Sequence, residues 1–220
     1  MANSNIANIK PPKAPNLPIP TITYSQSYFE ILTNVMRLYF NELDRVFATL
    51  VTPDIGYYLN QPYAGFYDVA IQNAAVINTA YPISFGTQYE IDGPRFLGGK
   101  PDIYIDPGVS TSAVVFLFPA VYNAAYNVQI QNTNASAHNA WVWINRLGTA
   151  LPGSVTKINI PAGATVNISN SFVFDIFDSA DYIELMWATD NVGVQLVPAA
   201  ATAFCPQTPT ALLNITYASA

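Results

Sequence analysis

Charge is what this sequence has least of. Only 10% of its 220 residues are charged, against about 25% in an ordinary globular protein. A monomer that keeps its whole surface in water needs more than this, so the deficit points to apolar surface covered by partners. Basic residues are scarcest of all, with Lys and Arg numbering 8 against 14 Asp and Glu, for a net charge of -6. Lys10, Lys13, Arg37 and Arg45 cancel Glu30, Glu42, Asp44 and Asp54, so the whole acidic excess falls in residues 61–220. Such a module repels phosphate backbones and excludes nucleic-acid binding. Cysteine is nearly absent as well. Cys205 is alone, which rules out an intrachain disulfide and a thiolate metal cluster. His138 is the only histidine, too few for a His-rich metal site. Long apolar runs are missing: residues 113–121 are broken by Pro119, and a span needs about 20 residues, so membrane insertion is not expected. The opening MANSNIANIK has no apolar signal core, so a secretory route is not indicated. The three Asn-X-Ser/Thr triplets, beginning at Asn134, Asn167 and Asn214, are then read as chance in an Asn-rich chain. No glycine-rich phosphate loop occurs.

What is present begins with one stretch, SQSYFEILTNVMRLYFNELDRVFATLV, residues 25–51. Phe29, Leu32, Met36, Tyr39, Leu43, Val46 and Leu50 recur at alternating spacings of three and four. That is an unbroken heptad seam. A seam buries itself against other helices, and no second helical pattern exists in the chain. Copies of the same helix are therefore expected to bury one another, with these seven residues as the trimerisation set. Val35, Phe40 and Phe47 widen the apolar face beyond a two-stranded seam and favour three chains or more. A capping box from Ser27 to Glu30 is expected to start the helix, with Thr23 to Gln26 as the alternative one turn earlier. Thr52-Pro53-Asp54-Ile55-Gly56 is expected to stop it. Before the helix, Pro11, Pro12, Pro15, Pro18 and Pro20 forbid helix and favour an extended strap. Leu17 and Ile19 among them are unusual in a solvated tail, so Pro15, Leu17, Pro18, Ile19 and Pro20 are read as an anchor to another protein.

Beyond residue 57 the pattern changes to short β runs between Gly, Pro and Asn. Candidate strands cover 65–69, 81–85, 103–105, 113–118, 126–132, 140–146, 156–160, 165–168, 171–177, 182–188, 194–197 and 212–217. In the run AWVWINR, Trp141, Trp143 and Asn145 share one face and Val142, Ile144 and Arg146 the other. Turns are expected at 92–94, 98–99, 107–108, 147–148, 152–153 and 161–163. Many short strands and no helical patterning predict a mainly β fold, a two-sheet jelly roll. The division is then 1–22 arm, 23–52 coiled-coil helix and 53–220 jelly-roll knob.

Catalytic signatures are weak. His138 precedes a strand and reads as a surface or turn residue. A Ser–His–acid triad has no supporting motif, because residues 108–112, GVSTS, lack the closing glycine of a nucleophile elbow. Cys205 reads as a small, partly buried apolar side chain. Asp175, Asp178, Asp181 and Glu184 offer oxygen ligands to Ca²⁺, but the expected geometry divides them between two strands and a turn, and the plainer reading is a solvated acidic loop. Tyr57, Tyr58, Tyr63, Phe66 and Tyr67 are expected to pack between the helix and the β region. No enzyme, cofactor or metal is expected.

Three stretches together resemble small virion structural proteins of tailed phages, notably those of marine and freshwater bacteria and cyanobacteria. They are APNLPIP (14–20) with LTNVMRLYFN (32–41), YAGFYD (63–68) with NTAYP (78–82), and VWINRLG (142–148) with ADYIELMW (180–187). The last is similar to a strand of trimeric jelly-roll heads related to the tumour-necrosis-factor and complement fold, with Ala180 where a glycine is usual. The resemblance implies a homotrimer without catalytic residues, made in the host cytoplasm and located in the virion. It implies a short tail fibre or spike whose knob attaches to the host surface. The alternative is a capsid decoration or head-fibre protein. A polysaccharide depolymerase or a stand-alone sugar-binding module is a more distant expectation. The partners are further copies of the chain, other virion proteins through the arm, and as a further candidate a host cell-surface glycan.

Overall fold

The heptad stretch folds as one helix, α1 (Gln26–Val51), in a computed structural model that describes residues 13, 15–20, 22–51, 62–91, 101–106 and 110–219. Its 26 residues span about 39 Å. Ser25 is the N-cap: its Oγ accepts the Tyr28 N–H at 3.4 Å, and its carbonyl accepts the Phe29 N–H at 3.3 Å. The expected Ser27–Glu30 box does not form. The helix starts before Ser27, and the Glu30 carboxylate accepts from Gln26 Nε2 at 2.9 Å instead. The expected stop at 52–56 lies outside the described residues. Residues 15–20 have no regular structure, as five nearby prolines require, and Ile19 is 87% exposed. The chain divides into two units, Met1–Gln61 and Pro62–Ala220.

Among the described residues the second unit holds fourteen strands: β1 (Tyr63–Asp68), β2 (Gln72–Asn73), β3 (Tyr81–Pro82), β4 (Thr87–Ile91), β5 (Ile103–Ile105), β6 (Ala113–Phe116), β7 (Ala120–Asn132), β8 (His138–Arg146), β9 (Thr149–Ala150), β10 (Thr156–Ile160), β11 (Thr165–Ile176), β12 (Tyr182–Thr189), β13 (Val194–Leu196) and β14 (Ala211–Ser219). They form two antiparallel sheets. The first runs β4-β1-β14-β7-β11, with β13 and β2 extending beside β7. The second runs β10-β8-β12-β6-β5, with β3 on β12 and β9 on β8. In chain order β1, β6, β7, β8, β10, β11, β12 and β14 fall in the first, second, first, second, second, first, second and first sheets, with β8 and β10 paired in one sheet, the order of a jelly roll. The fold is mainly β, as the sequence pattern predicts, with one helix before it.

Period-two alternation explains the core. On β7, Tyr122, Ala124, Tyr126, Val128 and Ile130 are buried while the residues between face outward. From the second sheet Phe116, Val142, Ile144, Leu185 and Trp187 meet them. Phe116 lies 4.7 Å from the ring of Tyr122 and 5.8 Å from that of Phe174, tying the sheets together. Burial pushes the Tyr122 phenol well above its ordinary pKa, with Asp102 and Tyr217 adding to the shift, and its hydroxyl donates to the Phe118 carbonyl at 3.1 Å. Phe66, expected between helix and β region, enters this core, 6.2 Å from Phe85. Tyr63 stays on the outer surface, and Tyr67 meets the Tyr89 ring at 5.6 Å. Tyr57 and Tyr58 lie outside the described residues.

Two strands expected at 165–168 and 171–177 are one. Ser169 and Asn170 read as a break, yet β11 pairs with β7 without interruption from Thr165 to Ile176. Pro119 does not delay β7, which begins at the next residue. Gly65 lets the Tyr89 ring lie over β1: a Cβ there would fall 2.6 Å from Tyr89 Cζ, and the Tyr89 hydroxyl reaches Asn214 Oδ1 at 2.5 Å. The β8–β9 turn is Leu147-Gly148, both at positive φ, which suits a two-residue hairpin loop. Ala180 is also at positive φ, 70°, a conformation costing about 1–2 kcal/mol for a residue with a Cβ. The turn is imposed by tertiary bonds, since Ala180 N–H donates to the Phe116 carbonyl at 2.8 Å. Ala180→Gly should therefore raise stability by about 1 kcal/mol. That is about 2–4 °C in thermal midpoint for a unit of this size. A lowered midpoint by calorimetry would contradict the strain.

Candidate functional site

Three features carry the functional argument: the helix face, a polar cluster at one end of the sandwich, and the outer faces of the two sheets. On α1, Leu32, Met36, Tyr39, Leu43 and Val46 are half-buried and Phe29 is exposed; the Leu50 side chain is outside the described set. The face is wider than the seam. Phe40 and Phe47 flank it on one side, and on the other Tyr28 and Val35 lead to Ile31 and Leu38, with all but Tyr28 and Val35 exposed. Ile31 and Leu38 escape the heptad reading because they fall at neither core position, yet at 100° per residue they extend the same arc, with Glu42 set between Val35 and Ile31. The opposite arc holds Ser27, Glu30, Asn34, Arg37, Asn41 and Asp44, with Arg37 donating to Asn34 at 2.8 Å. An apolar arc this broad is suited to contact more than one neighbouring helix.

At the sandwich end, the β7–β8 loop meets the β12–β13 loop. Ser136 Oγ lies 3.0 Å from His138 Nε2, and His138 Nδ1 lies 3.3 Å from Asp190 Oδ1. Asp190 also accepts the Asn139 N–H at 3.0 Å and its Nδ2 at 2.7 Å. Burial works to raise the Asp190 pKa, but the Asn139 bonds and the nearby His138 outweigh it, and the net effect is a lowering. The order Ser–His–Asp is that of a nucleophile, its base and an orienting acid. Here, however, the serine belongs to a tightly tied loop. Its carbonyl accepts from buried Asn132 Nδ2 at 2.7 Å. Asn134 in turn joins Asn132 Oδ1 and Asn191 Oδ1 at 3.1 and 2.9 Å. The cluster fastens the end of β12 to the start of β8. His138 is thus a half-buried strand residue, and its acid partner stands 52 positions away in sequence.

The acidic run does not converge. Asp175 is exposed on β11, Asp181 turns back to accept the Phe177 and Asp178 amides at 3.4 Å, and Glu184 accepts from Ser112 at 3.1 Å. Among the described residues no group of three or more His, Cys, Asp or Glu could hold a metal ion. Cys205 is exposed, not partly buried, because it sits in the irregular segment between β13 and β14, in a turn closed by the Thr202 N–H to its carbonyl at 2.8 Å.

The outer face of the first sheet carries rings, hydroxyls and carboxamides: Tyr63 and Tyr67 on β1, Asn127 on β7, Asn167 and Ser169 on β11, and Thr216 on β14. Asp175 is its one charge among the described side chains. No helix among the described residues is long and apolar enough to cross a membrane.

No protein-family profile matches the chain, and no curated protein matches it. Among solved structures it is similar to murine APRIL. The crystal structure at pH 5.0 has a TM-score of 0.42 and 12% identity, covering 72% of this chain and 100% of that one. The crystal structure at pH 8.5 has a TM-score of 0.41 and 11% identity over the same shares.

Proposed function

We propose that the chain is a non-enzymatic structural protein of a phage virion, a homotrimeric short tail fibre or spike. Its arm anchors it, its helices associate, and its jelly-roll knob is displayed for attachment to the host surface. The observation that carries this reading is the helix face, an apolar arc whose core positions are only half-buried within one chain. Copies of the same chain supply matching arcs, and burying each Leu, Met or Val contributes about 1.5–3 kcal/mol. The low charge of the first sheet's outer face suits burial against copies as well, since interface cores are depleted in charge. The motifs at 14–20, 32–41 and 180–187 supply the virion setting. Residues 15–20, proline-rich with exposed Leu17 and Ile19, are the segment available for anchoring.

Removal of residues 1–22 tests it. The truncated protein should keep the mass of the full-length assembly in sedimentation and should be absent from purified particles. Normal incorporation of the truncated chain would overturn the anchor. Imaging of particles with the protein labelled then separates a tail position from a capsid-decoration or head-fibre position.

A further inference from the structure

On β8, Ala140, Val142 and Ile144 point into the sandwich, so Trp141 and Trp143 stand side by side on the outer face, both half-exposed. Two residues of strand separate them by about 6.7 Å. The registers place Met186 opposite Trp143, and Ala188 and Lys157 opposite Trp141. The result is an apolar strip on β8 and β12, with Met186 itself buried beneath the rings, and Lys157 of β10 along its edge. Trp187, the third tryptophan, is buried in the core, so this surface holds both solvent-accessible indoles of the protein. Trp143 does not spend its indole N–H on solvent. It donates to Asn145 Oδ1 at 2.8 Å, which fixes the ring. Lys157 Nζ lies 5.3 Å from the centre of the Trp141 ring, within the range of a cation–π contact.

The rim of this floor is polar on both strand-wise ends. Asn145 and Glu184, a cross-strand pair, close one end. Asn139 and Asn159, another pair, close the other, with Asn159 Nδ2 donating to Asn139 Oδ1 at 3.2 Å. Asn145 Nδ2 and Asn159 Oδ1 have no partner among the described residues. One donor and one acceptor therefore flank the rings. Lys157 and Glu184 contribute opposite charges, so the surface has no sign of its own.

We propose that the Trp141–Trp143 surface of the second sheet is a binding site for a neutral oligosaccharide. A pyranose ring presents an apolar C–H face and a belt of hydroxyls that both donate and accept. The surface matches both: indole faces for the first, and carboxamides with an ammonium and a carboxylate for the second. A few polar groups around an apolar floor is the arrangement by which small-molecule sites orient their ligands. An anionic ligand would meet Glu184 and the acidic excess of residues 61–220, and a second copy of this rim would set like groups against like. The proposal rests on the attachment reading and locates its site.

Tryptophan emission reads it directly. The full-length protein is titrated with neutral gluco-, manno- and galacto-oligosaccharides, with and without iodide as quencher. At least one should shift the emission and shield Trp141 and Trp143 from iodide. Trp141→Ala and Trp143→Ala should each weaken binding by about tenfold or more, roughly 1.4 kcal/mol. Trp143→Phe, which keeps a ring, should retain most of it, and circular dichroism identifies any variant that fails to fold. No response to any of the saccharides, or unchanged affinity in a folded double variant, would overturn the site. Shielding that grows with protein concentration and needs no saccharide would assign the surface to self-contact and overturn it too. Particles carrying the double variant are tested for adsorption in parallel. Saccharide binding lost with adsorption intact would overturn the attachment reading while leaving the site in place.

Discussion

On the trimer reading, replacing Met36 and Leu43 together by Asp should turn the full-length protein from a three-chain to a one-chain species in sedimentation equilibrium. Both residues occupy the same heptad position one repeat apart, at the centre of the α1 face. In a trimer each substitution is made three times. The lost burial alone, at about 1.5–3 kcal/mol per side chain, is on the order of 10 kcal/mol per assembly. Six carboxylates brought together at the seam add a desolvation and repulsion cost of the same sign. Even nanomolar association would move beyond micromolar concentrations. Helical signal should fall with it, because helical stability in proteins comes mostly from packing of the apolar face rather than from propensity. The β signal should persist, since Pro62–Ala220 is a separate compact unit. Arg37→Asp, on the polar arc, should leave the mass unchanged. A double variant that still sediments as three chains would show that the helix is not the zipper and that the knobs alone hold the assembly.

Phe116→Ala should cost the knob about 3–5 kcal/mol, read as a lower midpoint in urea with unchanged slope. Phe116 is the member of the second sheet that reaches into a group of rings otherwise supplied by the first: Tyr122, Phe174 and, through Tyr122 at 6.1 Å, Tyr217. Truncation leaves a cavity whose walls are held by two separate hydrogen-bonded sheets, so little can collapse to fill it. Its backbone is also fixed from both sides, donating to the Asp181 carbonyl at 2.9 Å and accepting from Ala180. Since domains hold about 5–15 kcal/mol in total, this one change removes a large share. Phe177→Ala is the control. That ring is exposed and lies 4.3 Å from the Arg146 guanidinium, a contact worth about 0.5–1 kcal/mol in water. A loss at Phe116 no larger than at Phe177 would contradict the aromatic tie.

The helix was legible because its period is local: every residue that defines the seam is within one turn of the next. The long strands were legible for the same reason, and β5 and β10 match the sequence pattern to the residue. What alternation could not show was continuity. On edge strand β11, Ser169 faces solvent and Asn170 faces inward but donates to Thr156 Oγ1 at 3.0 Å, so both sit there without penalty while resembling a break. Strands β2, β3 and β9 are two residues long and leave almost no periodic trace. Strand β4, Thr87–Ile91, is too polar to stand out from a loop. The polar cluster was illegible in kind. Ser136 and His138 are neighbours in sequence, but Asp190 and Asn191 join them only through the pairing of β8 with β12. Dispersal of Asp175, Asp178, Asp181 and Glu184 follows from strand parity and the turn at Ala180, and the sequence already hinted at it by spreading them over two runs and a connection.

The position of β14 has a consequence for synthesis. It follows every other described strand in the chain, yet it lies inside the first sheet, between β1 and β7, pairing Tyr63 with Thr216 and Val128 with Ala211. Until it arrives, β1 and β7 have no common neighbour and present bare strand edges, which are templates for aggregation. A chain cut short before Ala211 cannot close the sheet, however much of it has been made. Folding of the knob is therefore postponed until residues 211–219 have emerged, and it pairs residues about 150 apart in sequence, the slow, non-local kind of closure. Helix α1, encoded before any of this, can find its fellows first. In the proposed assembly, copies joined at their helices would each close a knob only once β14 is present, and copies lacking it would be left open.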